Sequence, residues 1–236
     1  MIYVTSDWHL SKQHTEVLSL LDRTTKEDNV ILLGNLADDW DMIENESWFV
    51  RMMNQYQTQI LLVDGNHEDI KKLQGIPETL WNGMKVHQLG KRIYHILRGQ
   101  VFYLEGKNFW IMGGDYSGKG YIMLLTDSWQ EEETPSRREQ QRGLEALIKL
   151  GWKVDYILTH TAPQEIIKTY KLSDEVNEFN RYLDEIARQT TFKKWYFGHC
   201  SKSISLLNEM DFPKEFVINS TKENLMKWLE KRNICL

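Results

Sequence analysis

Apolar runs that stop at glycine, alternating with helical apolar spacing, predict a mixed α/β fold. Short β-like runs in the middle of the chain add antiparallel sheet to it. Ile2 to Thr5 is a β-rich run. Val17, Leu20 and Leu21 give helical spacing across Glu16 to Leu21. Val30 to Leu33 is continuously apolar and ends at Gly34, as a strand buried on both faces does. Trp48 to Tyr56 puts Phe49, Met52, Met53 and Tyr56 on one helical face, and Ile60 to Val63 is a second buried strand. From Val86 to Met112 the texture changes. Arg92 to Leu97, Gln100 to Leu104 and Phe109 to Met112 are β-like, with Arg98-Gly99 and Glu105 to Asn108 between them as hairpin turns. Asp115 to Ser136 is polar and weakly patterned, and reads as a long loop or small cap. A helix follows from Pro135-Ser136 through Leu150, then a strand from Val154 to Leu158. Helical stretches cover Gln164 to Tyr170 and Glu175 to Arg188. Strands at Trp195 to Phe197 and Phe216 to Ile218 precede a closing helix from Lys222 to Lys231.

The expectation is one domain over 1–236, with the cap at 115–136 as its insertion. A hydrophobic fraction of 41% and a charged fraction of 27% are those of an ordinary folded protein. The net charge of −5 argues against non-specific nucleic-acid binding, which needs broad basic faces. A phosphorylated substrate remains compatible with it, because bound cations invert the local field. No basic segment leads into a long apolar run, no stretch is apolar enough to span a bilayer, and the two cysteines form no disulfide framework. A cytoplasmic protein without a membrane partner is expected.

The chemistry gathers where strands end. Asp7 and His9 follow the first strand, and Gly34-Asn35 the second, with Asp38 and Asp39 beyond. Gly65-Asn66-His67-Glu68 follows the third, His160 ends a later strand, and Gly198-His199 ends another. Ligands of open α/β sheets bind beyond the carboxyl ends of strands, where a rigid strand fixes each side chain and a loop turns it inward. Each piece alone reads as a surface turn, a helix cap or a hydrogen-bonded histidine. The whole ordered set points to a site.

That set resembles the calcineurin-like metallophosphoesterase family, whose blocks are Asp-x-His, Gly-Asp-x-x-Asp, Gly-Asn-His-(Asp/Glu), a lone His and Gly-His-x-His. The middle of the chain is similar to a bacterial and phage branch: Arg98-Gly99-Gln100-Val101, Gly113-Gly114 after the strand, Ser117, Trp129 to Pro135, and Val154 to Pro163. The resemblance implies two packed mixed β-sheets flanked by helices, with a dinuclear metal site on loops at one edge. Asp7 and His9 would bind the first metal, Asn35 would occupy the bridging position, and Asn66, His160 and His199 would bind the second. His67 would be the general acid or transition-state donor, and Glu68, Asp38 and Asp39 would orient ligands from behind. Imidazoles and oxygen donors suit two divalent ions, manganese first, with iron, zinc or nickel as alternatives. Water bridging such ions is acidified toward hydroxide and attacks phosphorus in line. The substrate would be a phosphorylated small molecule, a nucleotide or a phosphoprotein.

Two positions depart from the family pattern. Asn35 stands where a bridging Asp is expected, so a neutral amide replaces a negative carboxylate between the ions. Ser201 stands where the last histidine of Gly-His-x-His would complete the first metal site. Asn35 is read as introduced, as the mark of a degenerate homologue, or as compensated by Asp38 or Asp39. The favoured reading is a phosphoesterase of reduced activity. The alternatives are a degenerate phosphate-binding module and, ranked lower, a protein Ser/Thr phosphatase. Trp8, between two expected ligands, reads as packing before substrate contact. Arg137, Arg138 and Arg142 read as a solvated helix face, Lys193-Lys194 as surface charge, and His14, His87 and His95 as structural or exposed.

Overall fold

The computed structural model describes residues 1–6, 14–35, 42–43, 46–116, 131–173, 176–199 and 215–218. Its centre is two mixed sheets. The first contains β1 (Ile2–Ser6), β2 (Asn29–Leu33), β5 (Gln59–Val63), β6 (Glu78–Trp81), β7 (Met84–Gly90) and β8 (Ile93–Ile96), in the order β1-β2-β5-β8-β7-β6. The first four in that order are mutually parallel, and β7 and β6 complete the sheet antiparallel. The second sheet runs β13 (Glu215–Ile218), β12 (Lys194–Phe197), β11 (Tyr156–Thr159), β10 (Lys107–Met112), β9 (Gln100–Leu104). Only β9 is antiparallel to its neighbour. β3 (Met42–Ile43) and β4 (Glu46–Ser47) form a separate short pair.

Period-two alternation separates three apolar layers. Ile31, Leu33, Leu61, Val63, Val86 and Ile96 of the first sheet face Phe102, Phe109, Ile111, Leu158 and Tyr196 of the second. The alternate residues Val30, Leu32, Ile60 and Leu62 face outward and pack with Leu21 of α1 (His14–Leu21) and with Phe49, Val50 and Met53 of α2 (Trp48–Met53). This is why β2 and β5 read as unbroken apolar runs: both of their faces are covered. On the far side, Trp110, Ile157, Trp195 and Phe197 pack against α4 (Arg137–Lys149), α5 (Gln164–Tyr170) and α6 (Glu178–Gln189). α4 starts in a capping box, with Ser136 Oγ accepting from Glu139 N–H and Glu139 accepting from Ser136 N–H. Asn177 and Asn180 do the same for α6.

Several expectations need correction. Arg98-Gly99 is not a hairpin turn, because β8 and β9 lie in different sheets and the chain crosses between them there. The turn expected at Glu105 to Asn108 does join β9 and β10 as a hairpin, and an unexpected one lies earlier, with Asn82 and Gly83 at φ 48° and 79° between β6 and β7. Both central residues in left-handed geometry match the twist of paired strands. Lys194 is not surface charge but a buried residue of β12, whereas Lys193 is exposed and pairs with Asp155 at 2.6 Å. Arg142 is not part of a purely solvated face, since its Nε donates to the Arg98 carbonyl at 2.8 Å. His87 and His95, read as structural or exposed, are buried, which fits the structural alternative. α3 (Ile70–Gly75) and a 3-10 turn at Glu131–Glu133 were not expected as elements. The closing helix and most of the cap at 115–136 lie outside the described residues. Among the described residues no helix is long and apolar enough to cross a membrane.

Candidate functional site

β2, β5, β11 and β12 end at one edge of the sandwich, and their following loops meet there. Asn35, Asn66, His160 and His199 come from those loops, two from each sheet. Asn35, Asn66 and His160 are buried, and His199 is partly exposed. His160 Nε2 lies 3.1 Å from Asn66 Oδ1 and 3.2 Å from His199 Nδ1. Glycines make this approach possible. A Cβ on Gly65 would come within 2.7 Å of Asn35 Oδ1, 2.8 Å of His160 Cε1 and 2.9 Å of the Asn35 backbone nitrogen. A Cβ on Gly34 would strike His160 Nδ1 and the Gly65 backbone. The three loops therefore touch where two residues have no side chain.

The hydrogen bonding fixes the state of His160. Its Nδ1 lies 2.8 Å from the Leu33 carbonyl, which can only accept, so Nδ1 carries the proton and donates. Burial, with His199 beside it, pushes the imidazole down to about 3, so the ring is neutral and Nε2 presents a lone pair. Asn66 Oδ1, facing it, is also an acceptor. Two acceptors at this distance repel unless an electropositive group stands by them, a metal ion or a donor such as His199 Nδ1–H. A carbonyl holding one imidazole nitrogen while the other faces a ligand is the usual arrangement behind metal-bound histidine. Metal bonds of ~2.0–2.2 Å set neighbouring donors roughly 3 to 3.5 Å apart, the spacing found here. Among the described residues no group of three or more His, Cys, Asp or Glu is placed to hold a metal. The donor set that could do so is two imidazoles and an amide, to which Asn35 adds a second amide beside Gly65.

Around this centre, Glu68 is buried and its Oε2 accepts from Gly65 N–H at 2.5 Å, which tightens the loop carrying Asn66. His67, between these two buried residues, is exposed. Asp115 was not anticipated. It is buried, with Oδ2 3.8 Å from His199 Nε2, and its Oδ1 accepts from Tyr116 N–H at 2.7 Å. It follows β10 and a Gly-Gly pair, the same strand-end signature that marked the other positions. Asp64, the last residue before Gly65, was also missed. It is fully buried, taking Arg98 Nε at 2.7 Å on one oxygen and His95 Nε2 at 3.1 Å on the other. Burial alone would raise its carboxyl, but Arg98 and His95 outweigh burial and hold it below the usual carboxylate range. His95 Nδ1 in turn lies 3.1 Å from His87 Nδ1. These residues floor a cavity of about 860 Å3 on the outer face of the first sheet, between α3 and the start of α4. Asp7, His9, Asp38, Asp39, Trp8 and Ser201 lie outside the described residues.

The family model for calcineurin-like phosphoesterases matches residues 1–200. No curated protein matches the chain. Among solved structures, phosphopantetheinyl hydrolase from Mycobacterium tuberculosis is similar with a TM-score of 0.49 and 13% identity, over 96% of this chain and 91% of that one. A protein of unknown function from Aquifex aeolicus is similar with a TM-score of 0.34 and 17% identity, over 77% of this chain and 92% of that one. Two mixed sheets with helices outside and loops converging at one edge agree with the family match over most of the sequence. The chain belongs to the calcineurin-like phosphoesterase family, whose members are in general metal-dependent hydrolases of phosphoesters.

Proposed function

We propose that this chain hydrolyses a phosphate ester at a two-metal centre formed by Asp7, His9, Asn35, Asn66, His160 and His199, and that Asn35 holds its activity down. The observation that carries the reading is the meeting of the His160 Nε2 lone pair with Asn66 Oδ1 at 3.1 Å, with His199 Nδ1 at 3.2 Å. Two divalent ions, manganese by preference, would polarise the phosphoryl group and activate the attacking water. The chain's own contribution is positioning. The Leu33 carbonyl holds the His160 ring with Nε2 turned inward. Glu68 holds the Gly65 amide and so the Asn66 loop. His67, exposed beside Asn66, is assigned as the proton donor to the leaving oxygen, a role worth ~10² to 10⁴-fold. Asn35 supplies a neutral oxygen where a carboxylate would place a negative charge between two cations.

Asn35→Asp tests the proposal. The backbone there is left-handed, φ 54°, a conformation that both Asn and Asp tolerate, so the change alters charge without forcing the loop. Mn2+-dependent hydrolysis of a panel of phosphomonoesters, phosphodiesters and nucleotides is expected to rise by on the order of 10² or more. A further, smaller rise is expected when Ser201→His is added. An Asn35→Asp variant that binds two Mn2+ ions and hydrolyses none of the panel would favour a phosphate-binding module instead.

A further inference from the structure

We propose that Arg98 is a positioning residue for the metal centre, holding the Asn66 arm and the His199 arm at a fixed spacing from a buried point behind both. The inference rests on the metal-centre reading given above and adds to it the residue on which its geometry hangs. Arg98 is 4% exposed. Its guanidinium divides between two segments. Toward the first sheet, Nε and Nη2 both reach Asp64 Oδ2, at 2.7 and 2.5 Å. Asp64 is two residues before Asn66. Toward the end of the cap, Nη1 donates to the Glu132 carbonyl at 2.9 Å and Nη2 to the Glu133 carbonyl at 3.1 Å. The Glu133 carbonyl also accepts from Asp115 N–H at 3.2 Å, and Asp115 faces His199. Gly114 N–H donates to the Asp64 carbonyl at 2.7 Å, which closes the circuit between the two arms.

Arg98 is itself anchored. Arg142 of α4 donates from Nε and Nη2 to the Arg98 carbonyl. Glu139 of α4 lies 3.6 Å from Nη1. Helix α4, the crossing between the sheets and both donor arms thus share one planar group. The geometry uses what is particular to arginine. A fixed fork of five N–H donors serves a carboxylate and two carbonyls at once, whereas a lysine ammonium has three donors on one atom. Any shift of the fork moves Asp64 and the Glu133 carbonyl together, and the separation of Asn66 from His199 follows. A purely structural role would predict lost stability alone. A positioning role predicts lost metal affinity in protein that is still folded.

The test measures Mn2+ binding by calorimetry, with no substrate present, on wild type, Arg98→Lys and Leu183→Ala. Leu183 is a fully buried core residue of α6 and stands as a control for general destabilisation. Melting is followed by circular dichroism, and binding is read at a temperature where every variant is folded. Groups that orient metal ligands from behind typically govern 10 to 100-fold in affinity. Arg98→Lys is expected to bind Mn2+ about tenfold or more weakly, with Leu183→Ala within about twofold of wild type. If Arg98→Lys does not fold, Asp64→Asn, which keeps the shape and weakens the same pair, is read in the same assay with the same expectation. Unchanged affinity in the folded variant overturns the inference, as does an equal loss in Leu183→Ala. Wild type that binds no Mn2+ overturns the metal-centre reading beneath it, a result distinguishable from either.

Discussion

At Gly65 a single added carbon would reach three atoms of the site at once: Asn35 Oδ1, His160 Cε1 and the Asn35 backbone nitrogen, all under 3 Å. One of them is backbone and cannot rotate away. Gly65→Ala is therefore expected to cost ~1–3 kcal/mol by overpacking and to weaken Mn2+ binding, because relief requires the loops to part. Denaturant unfolding and metal titration of the variant check this, and wild-type values for both would show that the contact is soft. The four converging residues were legible in the sequence because each is an Asn or His at a strand end, three of them beside glycine. Asp64 and Asp115 were not. A carboxylate at the end of an apolar run reads as an ordinary cap until its partners are known, and Arg98, His95 and His199 are distant in sequence. Asn35 and His199 both adopt left-handed backbone, φ 54° and 56°. Asn and His are among the residues that accept that conformation most readily.

At the scale of elements, the β6–β7 hairpin shows what local chemistry alone enforces. Gly83 has φ 79°, and a Cβ there would meet nothing within 4 Å. Gly83→Ala is thus a nearly pure backbone test. It should cost ~1–2 kcal/mol from the left-handed conformation, with no change at the site. A loss well below 1 kcal/mol would mean that the turn relaxes to another type. The Asn-Gly pair was a readable signal, but the β6 residues Glu78, Thr79 and Leu80 are exposed, so no apolar run announced the strand. The core strands were readable for the opposite reason: apolar side chains on both faces. The crossing at Arg98-Gly99 was not, since nothing local distinguishes a turn within a sheet from a step between sheets. The burial of Lys194 likewise depends on the strands and helices around it. Helix α4 was legible from its Ser136 cap and its spacing, and the capping box confirms the reason.

For the molecule as a whole, the cross-strand pair His87 and His95 sets a pH dependence. Burial, then the neighbouring His95, pushes the His87 imidazole from 6.5 down to about 4, against the opposing pull of Glu78 and Asp64. Its folded value is depressed, so the unfolded chain takes up this proton near pH 6.5 and the folded chain only near pH 4. Stability from this group is present above about pH 6.5 and is lost as pH falls toward 4, by at most about 3.5 kcal/mol. His87→Gln, which can still donate to His95, should flatten that slope. Urea unfolding of both proteins between pH 7 and pH 4.5 measures it, and parallel slopes would assign the acid sensitivity to other groups.

The site draws its donors in pairs from two sheets whose facing surfaces are largely apolar. Dispersion and burial hold such faces together but resist sliding weakly, since one smooth apolar contact exchanges for another. Directional bonds resist sliding well. A cation gripped by Asn66 on one side and by His160 and His199 on the other would act as a rivet through the edge of the sandwich. Its affinity would then depend on the alignment of the two sheets. In return, loading it would slow the exchange of amide hydrogens in β5 and β11, the strands whose ends carry Asn66 and His160.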